Sequence, residues 1–145
     1  AVDYAHTPDA LENVLKTLKE LEPAGGICCV FGCGGNRDKT KRPEMGAIAG
    51  KYAQRIIVTS DNPRFEDPVE IIKEIREGMD IKARAKSLFI TDREEAIRTA
   101  ILTAQPGSII LVAGKGHEDY QIINGVKHHF DDKEIIQETF AQQMA

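Results

Sequence analysis

Three short stretches carry residue types that could do chemistry: GCGGNRDKTKRP at 32–43, SDNPR at 60–64 and GKGHED at 114–119. The first looks like a phosphate cradle, with glycines after an apolar run and a Lys-Thr pair beyond them. A P-loop, however, needs a glycine directly before its lysine so that backbone N–H groups wrap the phosphates, and here Asp38 precedes Lys39. The dinucleotide fingerprint fails as well, because Arg37 stands where the third glycine of GxGxxG belongs when counted from Gly32 and Gly34. The three stretches share charge of both signs. Arg37 and Arg64 offer planar forks suited to carboxylates, Glu118 offers an anion for an ammonium group, and Gly114 and Gly116 let backbone come close. A phosphate site would be uniformly basic. A carboxylate clamp beside an ammonium acceptor fits a zwitterion, that is, an amino acid, and the glycines of GCGGNR would turn the chain so that Arg37 points at it.

Singly, each feature has an ordinary structural reading. Asn62-Pro63 is a common turn pair, and Arg64 can pair with Glu66 or Asp67 at the surface. His117 can be a satisfied structural histidine, and Lys39, Lys41 and Arg42 can be a solvated basic loop. The elements that must position these residues raise the case for a site. From residue 6, HTPDALENVLKTLKEL predicts a helix capped by Thr7, with Pro8 in its first turn and Leu11, Val14, Leu15, Leu18 and Leu21 on one face. ICCVFG at 27–32, RIIVTS at 55–60, SLFI at 87–90 and SIILVAG at 108–114 read as buried strands. Helices are predicted between them: Pro43 to Ala53, one started by Asp67 and Pro68 and ended near Gly78, and one opened by the capping box TDRE at 91–94. QIINGVKHHF then holds an Asn-Gly hairpin signal at 124 and 125 before a last helix after Asp131.

Strands alternating with helices predict one α/β domain: a Rossmann-like, doubly wound, mostly parallel sheet with an antiparallel hairpin at its carboxyl end. Right-handed crossovers bring the carboxyl ends of parallel strands to one rim, where such folds bind ligands. The three unusual stretches each follow a predicted strand and so fall on that rim. EPAGG, KYAQ and TAQPG, at the other, read as plain turns.

Composition narrows the classes. With 145 residues and 41% hydrophobic content the chain can bury one core without staples. Nineteen basic against 23 acidic residues give a net charge of -4 with no long basic run, which argues against nucleic acid. No apolar run approaches a membrane span. Cys28, Cys29 and Cys33 form no CxxC pair and are odd in number, so zinc and a disulfide framework are both unfavoured and free thiols in a reducing cytoplasm are expected. The chain starts AVDYAH, without methionine, and reads as an excised piece of something longer.

VDYAHTPDAL, GCGGNRDKTKRPEMG, SDNPR and LVAGKGHEDYQ, in this order and spacing, resemble the carboxyl-terminal domain of the Mur ligases over nearly the whole chain. Within that family the resemblance is to members that add the third amino acid to the peptidoglycan precursor UDP-N-acetylmuramoyl-L-alanyl-D-glutamate, and DNPR at 61–64 is the form associated with meso-diaminopimelate. The resemblance implies that Arg37, Asp61, Asn62, Pro63, Arg64, Gly114 and Glu118 hold this amino acid, and that Asp3, Tyr4 and His6 border the nucleotide site. It implies ATP as phosphoryl donor, Mg2+ as its counter-ion, and an acyl phosphate attacked by the incoming amine. The UDP-binding and ATP-binding domains would precede this chain, leaving it no catalytic residue, metal or cofactor of its own. A lysine-adding relative and a free-standing, non-catalytic amino acid-binding module remain as alternatives.

Overall fold

The structure is a computed structural model that describes residues 1–145 except Ala1, Tyr4, Asn36, Arg37, Gly116, His117, Asp119, Asn124, Gly125 and Ala145, and gives backbone alone for Val2, Asp3, Ile122, Ile123, His128, Gln143 and Met144. Alternation along the central apolar strand sets the layers. In β2 (Ile27–Phe31) every residue is buried, but Ile27, Cys29 and Phe31 face one cluster and Cys28 and Val30 the other. β3 (Arg55–Val58) and β5 (Ile109–Ala113) flank it in parallel, with Cys29 opposite Ile56 and Leu111. Two short parallel edge strands, β1 (Val2–Asp3) beside β5 and β4 (Ser87–Phe89) beside β3, complete the order β1-β5-β2-β3-β4.

The first face carries α1 (Pro8–Glu20), α2 (Lys41–Tyr52), α3 (Pro68–Glu77) and the short α4 (Ile81–Ala85); the second carries α5 (Arg93–Leu102) and α6 (Asp132–Met144). Leu11 and Leu15 of α1 are fully buried, each contributing about 1.5–3 kcal/mol of apolar transfer. Thr7 Oγ1 accepts from Ala10 N at 3.2 Å, as its capping role requires, and Asp67 caps α3 by accepting from Val69 N at 2.9 Å. The loop leaving β2 leads to the first face and the chain leaving β5 to the second, so a crevice opens between adjacent strand ends.

The expected doubly wound sheet is present, with local corrections. β1 and α4 were not expected: a two-residue strand and a five-residue helix are too short for a hydrophobic period to show. α2 starts at Lys41, two residues ahead of the expected proline start, because a proline in the first turn gives up an N–H that has no helical partner. α5 is capped by Asp92, which accepts from Glu94 N at 3.0 Å, and not by Thr91, whose carbonyl accepts from Ser60 Oγ at 2.8 Å. β6 (Tyr120–Ile123) and β7 (Val126–His129) pair antiparallel as their own two-stranded sheet, while the Asn-Gly pair expected to turn them lies outside the described residues. Among the described residues no helix is long and apolar enough to cross a membrane.

Candidate functional site: the carboxyl rim of the sheet

The loop leaving β2 lies flat on the segment leaving β3. A Cβ on Gly32 would stand 2.2 Å from Thr59 O, and one on Gly35 would stand 1.9 Å from Pro63 O, so only glycine fits at either position. Gly35 N donates to Asn62 O at 2.7 Å, and Arg64 Nη1 donates back to Gly35 O at 3.0 Å and to Asn62 O at 3.3 Å. These glycines therefore serve close approach between two loops. The expectation that they aim Arg37 falls on a residue outside the described set. Arg64 has φ 55, a left-handed conformation that costs a non-glycine residue about 1 kcal/mol and is held here by those carbonyl bonds. Arg64 does not pair with Glu66 or Asp67; Glu66 is engaged by Arg42 at 2.9 Å and Lys39 at 3.6 Å.

A cavity of about 510 Å³ opens over these loops, and His6, Asp61, Asn62, Arg64, Gly114 and Glu118 all line it. Pro63 instead borders a neighbouring depression with Arg93 and Gln121. Arg37, Tyr4, His117 and Gly116 lie outside the described residues, as does the side chain of Asp3. Both signs of charge surround the space, since Asp38, Lys41 and Arg42 complete its wall. Thr40 donates to Asp38 Oδ1 from its hydroxyl at 2.6 Å and its N–H at 3.0 Å, and these bonds hold the Asp38 carboxyl below the usual carboxylate range. Cys33 also lines the space with its thiol against Met45 Sδ at 3.5 Å; burial, only partly opposed by Arg42, pushes its pKa up to about 12. All three cysteines are free thiols.

Three buried cations hold the rim together, and none was singled out from the sequence. Arg42, read as part of a solvated loop, is 1% exposed: its guanidinium binds Glu74 and Glu66 and donates to Gly34 O at 3.0 Å. Burial works against its charge, but the two glutamates outweigh it and its pKa is raised. Arg93 forms a bidentate pair with Asp132 at 2.8 and 2.7 Å, both side chains fully buried, and donates to Ser60 O at 2.9 Å and Ala113 O at 3.3 Å. Those carbonyls immediately precede Asp61 and Gly114, so one guanidinium ties β3 and β5 across the end of β2. Lys115 has no exposed side-chain surface and meets Asp61 Oδ1 at 3.0 Å, Asn62 Oδ1 at 3.0 Å and Tyr120 O at 2.9 Å. Its pKa is lowered, burial outweighing the attraction of Asp61. The hairpin braces the same rim: Gln121 Nε2 donates to Asp61 O at 2.8 Å and Tyr120 OH to Glu118 Oε2 at 3.1 Å. Arg42 and Lys115 lie within the unusual stretches, which is their one sequence signal, whereas Arg93 lies in the TDRE helix start and carries none.

The profile of the family described as "Mur ligase, glutamate ligase domain" matches residues 1–116. The chain belongs to the Mur ligase family. Among curated Mur ligases it is 59% identical over 140 residues to the UDP-N-acetylmuramoyl-L-alanyl-D-glutamate–2,6-diaminopimelate ligase of Bacteroides thetaiotaomicron, covering 96% of this chain and 29% of that protein. The enzyme of the same name from Clostridioides difficile is 56% identical over 141 residues, covering 97% of this chain and 29% of that one. A solved structure of a ligase of that name superposes with a TM-score of 0.93 at 49% identity over 99% of this chain and 29% of its own. The Escherichia coli FolC structure in complex with ADP, at TM-score 0.62 and 16% identity over 99% of this chain and 30% of its own, shares the fold. The chain thus spans about 29% of the length of the curated Mur ligases it matches.

Proposed function

We propose that this chain is the carboxyl-terminal, amino acid-holding domain of a longer, ATP-dependent MurE-type ligase that joins meso-diaminopimelate to UDP-N-acetylmuramoyl-L-alanyl-D-glutamate in peptidoglycan precursor synthesis. The observation that carries this reading is that one cavity of mixed charge is lined by Asn62, Arg64, Gly114 and Glu118 together. Diaminopimelate has an amino acid group at each end, so one end must react while the other is gripped. Arg64 spends Nη1 on two carbonyls, and the remaining donors of its planar fork suit the distal carboxylate. Glu118, steadied by the Tyr120 hydroxyl, and the Gly114 carbonyl suit the distal ammonium. Lysine lacks that carboxylate and would leave the half-buried guanidinium of Arg64 short of a partner, a basis for discrimination of about a hundredfold.

Among the described residues no three His, Cys, Asp or Glu side chains stand together as a metal-binding set. Because this chain spans about 29% of the ligases it matches, ATP and Mg2+ are assigned to preceding parts of the longer polypeptide, where they would supply phosphoryl activation of the precursor carboxylate. The residues here bind and orient the attacking amino acid. The test is amino acid-dependent ADP release by the complete ligase: meso-diaminopimelate should stimulate it strongly and L-lysine hardly at all. Equal stimulation by lysine would refute the reading.

A further inference from the structure

Lys115 touches no open part of the cavity, yet it controls a group that does. Its ammonium donates to Asn62 Oδ1 at 3.0 Å and to the Tyr120 carbonyl at 2.9 Å, and stands 3.0 Å from Asp61 Oδ1 as an ion pair. An ammonium can only donate. The Asn62 side-chain atom 3.0 Å from Lys115 Nζ must therefore be the amide oxygen, and the reverse rotamer, with the NH2 group facing the ammonium, would set donor against donor in a fully buried site. The amide nitrogen consequently lies on the side of the group away from Lys115. Asn62 itself is 3% exposed and lines the cavity.

We propose that Lys115 is a positioning residue for amino acid selectivity: by fixing the Asn62 amide it presents the Asn62 NH2 as a donor for the distal carboxylate of the ligand, while Asp61 compensates the buried charge. This rests on the reading above that the cavity takes a diamino dicarboxylate. Lys115 also joins the loops that follow β3 and β5, so a purely structural tie is the rival role. The two differ in what they do to selectivity. A structural tie lost from the rim weakens every amino acid alike, whereas a misoriented Asn62 penalises only a ligand with a distal carboxylate.

The experiment compares Lys115→Met and Lys115→Arg with the parent in the complete ligase, measuring KM and kcat for meso-diaminopimelate and for L-lysine, with ATP and nucleotide KM as controls. Expected is a rise of about tenfold or more in KM for diaminopimelate, with smaller changes in kcat and in ATP KM, and a fall of similar size in preference over lysine. A preference unchanged while both amino acids weaken equally overturns the proposal. Because Lys115→Met strands the Asp61 carboxylate and can unfold the chain, a second measurement uses the parent sequence alone. In a 15N-asparagine-labelled sample, the side-chain NH2 signals of Asn62, assigned by their loss in Asn62→Asp, should shift on titration with meso-diaminopimelate. If backbone signals at the rim shift while those of the Asn62 NH2 stay fixed, the proposal is overturned. A parent enzyme with no preference for diaminopimelate over lysine overturns the cavity reading itself and the Lys115 proposal with it.

Discussion

The two rims of the sheet differ in how deeply they bury charge. At the amino rim the turns are stitched by backbone, one amide side chain and two partly exposed cations: Gly25 N donates to Gly107 O at 3.1 Å, Ile27 N to Gln54 Oε1 at 2.7 Å, Arg55 Nη1 to Thr103 O at 2.8 Å and Lys86 Nζ to Gly50 O at 2.9 Å. Among the described residues no buried charge lies there. The carboxyl rim buries Arg42, Arg93, Lys115, Asp61 and Asp132, which bind one another, their neighbours or loop carbonyls. The cations of the amino rim stay partly in solvent. Buried ions cost desolvation and give little net stability, so their concentration at one rim supports the proposal that loop geometry is held there for binding.

That contrast can be broken most forcefully at Arg93. Arg93→Ala strands the Asp132 carboxylate in a fully buried position and should cost about 3–5 kcal/mol of stability in urea unfolding. Arg93→Met with Asp132→Leu should recover part of the loss by removing both charges. A loss below about 1 kcal/mol for Arg93→Ala would mean that the carboxyl rim is not organised by its ion pairs.

A smaller effect is expected where the contrast is steric. Gly35→Ala drives a Cβ into the Pro63 carbonyl and should cost about 1–3 kcal/mol while weakening amino acid binding. Gln54→Ala at the amino rim removes a single hydrogen bond, for about 1 kcal/mol, and should leave binding intact. Urea midpoints and amino acid KM values measured side by side check both, and a binding defect in Gln54→Ala would erase the distinction between the rims. The mildest prediction concerns Cys33. It lines the cavity, but burial holds its thiol protonated up to about 12, so iodoacetamide at pH 8 should label it far more slowly than a free thiol, as read by mass spectrometry. Rapid labelling would show a more open rim than this packing implies.

Much of the scaffold was legible in the sequence because its signals are local. The fully buried runs ICCVF and IIV, the Thr7 and Asp67 caps and the leucines of α1 each declare their element within a few residues. The rim was legible too, since strand-helix alternation fixes which loops share it, and Asn62, Arg64, Gly114 and Glu118 do border one cavity. What stayed hidden is what depends on distant partners. Arg42 reads as a solvated cation until Glu66 and Glu74 are seen folded over it, and Arg93 reads as the first turn of a helix until Asp132 arrives from the last one. The left-handed backbone at Arg64 likewise gives no sign in composition, because it is imposed by Gly35 and Asn62 carbonyls from two loops.

The decisive measurement is the ratio of kcat/KM for meso-diaminopimelate to that for L-lysine in the complete ligase, before and after Arg64→Ala. If this rim grips both poles of the distal amino acid group, the ratio falls by about a hundredfold, nearly all of it through diaminopimelate. A ratio that survives the substitution unchanged contradicts the assignment of Arg64, and with it the binding role given to the carboxyl rim.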